Sequence, residues 1–119
     1  MKLAVASRSF SKNPTLREEA NKLFSEVAFN ETGKVFNEDQ LIDFLKDVEV
    51  AIIGLEPITE KVLSALPNLK FLSKYGVGLD NIDDELLERH QVRLGWTGGV
   101  NKESVAELTL GLMIGLSRN

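Results

Sequence analysis

Runs of three or four apolar residues alternate with helix-patterned segments along almost the whole chain, and few folds accept that rhythm. The runs from Leu3 to Ala6, Val27 to Phe29, Val50 to Ile53, Leu69 to Leu72 and Val92 to Leu94 read as buried strands. Between the first two, Asn13-Pro14 offers a cap and a proline at the first helical turn, and Leu16, Ala20, Leu23 and Phe24 share one face. Asn37 with Gln40 has capping-box spacing ahead of Leu41, Phe44 and Leu45. Thr59 opens a helix carrying Val62, Leu63 and Leu66, which Pro67 stops. Asp83, Asp84 and Glu85 put negative charge on the positive end of one more short helix. Strand–helix alternation at this spacing predicts a parallel sheet covered on both faces. Right-handed crossovers narrow the choice to a flavodoxin-like, doubly wound α/β sheet.

Composition removes several function classes. With 119 residues, 43% hydrophobic and 27% charged, the chain can bury the core of one domain. A net charge of −4 without a Lys/Arg cluster argues against nucleic acid as a partner. Cysteine is absent, which excludes disulfides and thiolate metal sites and agrees with a cytoplasmic location. His90 is the single histidine and reads as the end of a surface helix, so no metal site is expected. The apolar start is too short for a signal peptide. The last apolar helix spans roughly 15 residues, short of the ~18 needed to cross a bilayer. The sequence therefore predicts a soluble protein with no membrane contact.

In a sheet of this kind, ligands sit beyond the carboxyl ends of the strands. Ser7 to Ser9, Gly54 to Glu56 and Gly76 to Gly78 fall at such ends. The last of these is the most informative. Gly76 and Gly78 flank Val77, so the backbone can turn sharply there and leave the amides of Val77 and Gly78 facing a ligand. Such amides suit an anion, and Lys74 stands beside them. Asp80, Asn81 and Asp83 can bond the turn's own backbone and fix its shape. The loop is not a dinucleotide fingerprint, because Asn81 holds the place of the third glycine and the loop follows the fourth strand. Tyr75 and Trp96 read as packing residues near the rim, and Glu56-Pro57 as the start of the loop before a helix.

The final segment carries a different message. Val105, Leu108, Leu112 and Leu116 line one helical face, while Ala106, Leu110, Met113 and Ile114 line much of the rest. The cap is Ser104, with Glu107 in capping-box spacing, or Asn101. A helix apolar all round needs cover on several sides. Gly111 and Gly115 would let a second helix approach closely, so the expectation is another domain or a second copy, giving a homo-oligomer such as a dimer through this helix.

Taken together, Lys74-Tyr75-Gly76-Val77-Gly78-Leu79-Asp80-Asn81-Ile82-Asp83 and Asn101-Lys102-Glu103-Ser104-Val105-Ala106-Glu107-Leu108-Thr109 resemble the D-2-hydroxyacid dehydrogenases, nearest to members described as phosphoglycerate-dehydrogenase-like. The resemblance implies two-domain enzymes that move hydride between a nicotinamide cofactor, NAD or NADP, and a small 2-hydroxy or 2-oxo carboxylate. It matches this chain to the substrate-binding ("catalytic") domain, residues 1–100, with 101–119 as a linking helix toward an NAD-binding domain. By the same resemblance, the Val77 and Gly78 amides hold the substrate carboxylate. Lys74 and Asn101 also lie near the substrate, and Val77 and Thr109 face the cofactor. The family's Arg, Glu and His for hydride transfer belong to the other domain, as does its glycine fingerprint, so this chain holds no catalytic residue. The expectation is a piece or a shortened form of such an enzyme, inactive alone, binding no cofactor tightly and lacking the segment that returns to complete the first domain.

Two departures stand out. Members acting on phosphorylated substrates often carry Arg-Ser after the third strand, whereas here Gly54-Leu55-Glu56 occupies that place and Glu56 would repel a phosphate. Gly98 stands where a proline is common. Two other classes share the predicted fold. A phospho-receiver needs acidic residues after the first strand, where Ser7-Arg8-Ser9 stands, and a flavin site needs a phosphate loop that Ser7 to Asn13 only weakly imitates. A third alternative is a non-catalytic protein that binds small carboxylates or regulates a full-length relative.

Overall fold

The computed structural model describes residues 2–76 and 78–96. The expected final helix, with Asn101 and Thr109, lies outside the described residues, as does Val77. Strands β1 (Lys2–Val5), β2 (Glu26–Phe29), β3 (Val50–Ile53), β4 (Phe71–Lys74) and β5 (Arg93–Trp96) form one parallel sheet in the order β2-β1-β3-β4-β5. This is the doubly wound order expected from the alternation. Helices α1 (Arg8–Lys12) and α2 (Pro14–Leu23) cover one face, and α3 (Glu38–Leu45), α4 (Glu60–Ser64) and α5 (Asp84–Arg89) the other.

The strand period of two sorts the core. Leu3, Val5, Val50, Ile52 and Phe71 meet Phe10, Leu16 and Ala20 on one side. Ala4, Ala51, Ile53 and Leu72 meet Leu41, Leu45, Val62, Leu63, Leu86 and Leu87 on the other. Full burial of each Leu, Ile or Phe contributes about 1.5–3 kcal/mol, so these two layers dominate stability.

Helix starts follow the local chemistry. The Asn13 side chain accepts from Thr15 N and Leu16 N with Pro14 at the first helical position, Asn37 and Gln40 close a reciprocal capping box, and Thr59 and Asp83 cap α4 and α5. Two differences from the sequence reading stand out. Residues 7–13 leave no element in that reading, yet Ser7 accepts from Phe10 N at 3.2 Å and starts α1 directly after β1. The fourth strand lies two residues later than its apolar run, over Phe71–Lys74 instead of Leu69 to Leu72. Leu69 is buried in the turn before the strand, while Ser73 and Lys74 take the ladder positions opposite Ile52 and Ile53. Burial, not pairing, made Leu69 apolar.

Candidate functional site

The carboxyl ends of β1, β3 and β4 converge on a cleft of about 250 Å³ lined by Ser7, Arg8, Ser9, Val35, Gly54, Leu55, Glu56, Tyr75 and Gly76. Residues from all three rim segments singled out by the sequence, Gly76 alone from the third, therefore come together. That volume suits a molecule of a few carbons and falls below the ~300–1,000 Å³ of drug-sized pockets.

Gly54 is the centre of the floor. Its N–H donates to Glu56 Oε1 at 2.6 Å, and its carbonyl accepts from Lys74 Nζ and from Asn81 Nδ2, the latter at 3.0 Å. A side chain at Gly54 would place its Cβ 3.2 Å from Ser7 Oγ, tighter than ordinary contact. The β1 and β3 ends thus approach closely because this position carries no side chain. Asn81 Nδ2 also donates to the Glu56 carbonyl at 2.7 Å. The sequence reading has Asn81 bonding its own turn; the structure sends its amide across to the β3–α4 loop. It shapes the rim by joining two loops.

Lys74 is buried, with 2% of its surface exposed. Burial pulls its ammonium below the ordinary lysine range, and the negative charges of Glu56 and then Asp80 act against that fall. Its Nζ would lie 3.7 Å from a Cβ at Gly76, so the cation sits directly beneath the glycine loop. Gly76 has φ +135°, a conformation that L side chains rarely adopt. Gly78 is different: a Cβ there would meet nothing within 4 Å, so its lack of a side chain leaves the loop's outer surface uncovered. Asp80 is exposed.

Glu56 is the residue whose burial sequence reasoning missed. It is fully buried, and its Oε2 has no hydrogen-bond partner among the described residues. A glutamate two residues after a strand-ending glycine is the only signal, and it reads equally as loop. Ser73, also fully buried, likewise holds an unpartnered Oγ among the described residues. Tyr75 packs edge-on to Phe10 with ring centroids 5.5 Å apart, as a rim packing residue should. His90 binds Glu60 at 2.7 Å and is not among the residues lining the cleft. Among the described residues no group of His, Asp and Glu could hold a metal, and no helix is long and apolar enough to cross a membrane.

These features have close relatives. The family model for D-isomer specific 2-hydroxyacid dehydrogenase, catalytic domain, matches residues 5–114. The chain is 29% identical over 108 residues to a hydroxypyruvate reductase of Thermotoga maritima, covering 90% of this chain and 35% of that protein. It is 32% identical over 105 residues to a D-3-phosphoglycerate dehydrogenase of Methanocaldococcus jannaschii, covering 87% of this chain and 20% of that protein. The chain thus spans a third or less, roughly, of the length of these curated relatives. The NAD+-bound 3-phosphoglycerate dehydrogenase of Entamoeba histolytica superposes with a TM-score of 0.70 at 30% identity, over 96% of this chain and 38% of that one. By sequence and by fold, the chain belongs to the D-isomer specific 2-hydroxyacid dehydrogenase family.

Proposed function

We propose that this chain supplies the substrate-binding part of an NAD-dependent oxidoreductase that transfers hydride between a nicotinamide cofactor and a small D-2-hydroxy acid. The observation that carries this reading is the glycine loop seated over the buried Lys74 ammonium, beside a cleft sized for a few carbons. In this reading the amides of Val77 and Gly78 receive the substrate carboxylate, Lys74 supports it from below, and Asn101 lies near the substrate. Val77 and Thr109 face the cofactor. Residues 1–100 form the substrate-binding unit and 101–119 link it to an NAD-binding domain.

The described residues do not fit a dinucleotide. The helix after the glycine loop starts with Asp83 as cap and Asp84 and Glu85 in its first turn, which cancels the positive end a pyrophosphate would need. The cofactor, when bound, supplies or accepts the hydride; the part played by these residues is to fix the acid's carboxylate and so aim its C2. His90, held by Glu60, is not placed for proton transfer in the cleft. The 119-residue chain alone therefore binds acid without turning it over. The oligomer through the last helix and the cytoplasmic location belong to the same proposal.

The test is a titration of the isotope-labelled chain with D-lactate, followed by NMR. Shifts confined to the Gly76 and Gly78 amides and the cleft, lost in Lys74→Met, are expected. Shifts scattered over the surface, or NADH-linked turnover by the pure chain, would refute the proposal.

A further inference from the structure

The cleft floor is electrically divided, and the division runs through a single peptide. At Gly54 the carbonyl takes the Lys74 ammonium and the N–H takes the Glu56 carboxylate. The cationic side lies beneath the glycine loop, since Lys74 Nζ would be 3.7 Å from a Cβ at Gly76. The anionic side lies toward β1: a Cβ at Gly54 would lie 3.2 Å from Ser7 Oγ and 3.7 Å from Glu56 Oε1. Among the described residues Glu56 forms no ion pair, and its Oε2 is buried without a hydrogen bond. A carboxylate so placed is little screened by water, though the Lys74 ammonium across the Gly54 peptide offsets its charge in part. Arg8, the cation that lines the cleft, is exposed at the rim and is screened by solvent.

A ligand lying across this floor is therefore read differently at its two ends. Its carboxylate belongs over Lys74 and the glycine loop. Its far end lies toward Ser7 and Glu56, where a second negative group meets repulsion and an uncharged group does not. Building on the substrate-binding reading above, we infer that Glu56 is a specificity-determining residue that favours acids with an uncharged tail and rejects those with a phosphorylated tail. It acts by its charge from beneath the cleft and touches no reacting atom.

Three acids separate the contributions: D-lactate, D-glycerate and D-3-phosphoglycerate share the carboxylate and the C2 hydroxyl and differ at C3. Binding of each to the 119-residue chain is measured by NMR at the Gly76 and Gly78 amides. D-Glycerate is expected to bind at least about tenfold more tightly than D-3-phosphoglycerate. The isosteric Glu56→Gln, whose amide oxygen can still accept from Gly54 N–H, should shrink that ratio to within about threefold. The wild-type ratio needs no variant, so a misfolded Glu56→Gln would not rescue the inference. Phosphoglycerate binding as tightly as glycerate to the wild-type chain would overturn it, as would a ratio unchanged in a folded Glu56→Gln. In both of those outcomes the acids still bind at the loop and the substrate-binding reading stands. Failure of all three acids at the loop would instead remove that reading and this inference together.

Discussion

Strands β3 and β4 lie side by side, run in the same direction and are buried at every position, yet one reads Val-Ala-Ile-Ile and the other Phe-Leu-Ser-Lys. Their first halves match: Val50 faces Phe71 and Ala51 faces Leu72. The last halves part company, with Ile52 opposite Ser73 and Ile53 opposite Lys74. In β3, and in the first half of β4, apolar transfer explains the burial. At Ser73 and Lys74 it opposes the burial, because a hydroxyl and an ammonium lose water there. One strand is built for stability throughout; the other is built for stability up to its midpoint and for the rim beyond it.

Four substitutions put this contrast under strain. The largest effect belongs to Leu72→Ala, in the apolar half of β4, which should cost about 2–5 kcal/mol in urea unfolding. A cost below about 1 kcal/mol would mean that this half is not core after all. Next comes Gly76→Ala, where φ is +135° and strain of about 1–3 kcal/mol is expected, together with weakened acid binding. Asn81→Ala removes one donor from two backbone carbonyls. It should cost about 1–2 kcal/mol, and hydrogen exchange should speed up in both loops, not only in its own.

The smallest stability change is expected for Lys74→Met, within about 1 kcal/mol near neutral pH, because Asn81 still serves the Gly54 carbonyl and a buried charge is removed. Its signature lies in the pH dependence. The folded Lys74 has its pKa below the ordinary 10.5, so between the two values the unfolded chain holds a proton that the folded chain has lost. Wild-type stability should therefore gain with rising pH across that window relative to Lys74→Met. Parallel stability curves for the two proteins would show that Lys74 is not desolvated in the fold.

The legible parts of the fold were those written over short stretches of chain. The caps at Asn13, Asn37, Thr59 and Asp83 act on amides two or three residues on, and each helix begins where its cap stands. The strand order followed from alternation together with right-handed crossovers. The fourth strand was displaced in the reading because hydrophobicity marks burial, and Leu69 is buried without belonging to the ladder. The glycine loop was visible as a motif, but the network beneath it was not. Lys74 reaches Gly54 across 20 positions and Asn81 reaches Glu56 across 25, and no local pattern encodes either meeting. The burial of Glu56 stayed hidden for the same reason: it is set by residues that arrive only when β3 and β4 pair.

The Gly54 peptide also sets a rule for exchanging parts between relatives. Its carbonyl and the neighbouring Glu56 carbonyl are held by side chains that follow β3 by a whole helix and strand. A chimera that imports only the β3–α4 loop would arrive without the lysine and asparagine that give the loop its shape, and one that imports only the glycine loop would leave its lysine with no carbonyl positioned to receive it. Crossover points that keep these hydrogen bonds together therefore fall before residue 54 or after residue 81. The intervening stretch is the smallest cassette that carries the whole network around the Gly54 peptide.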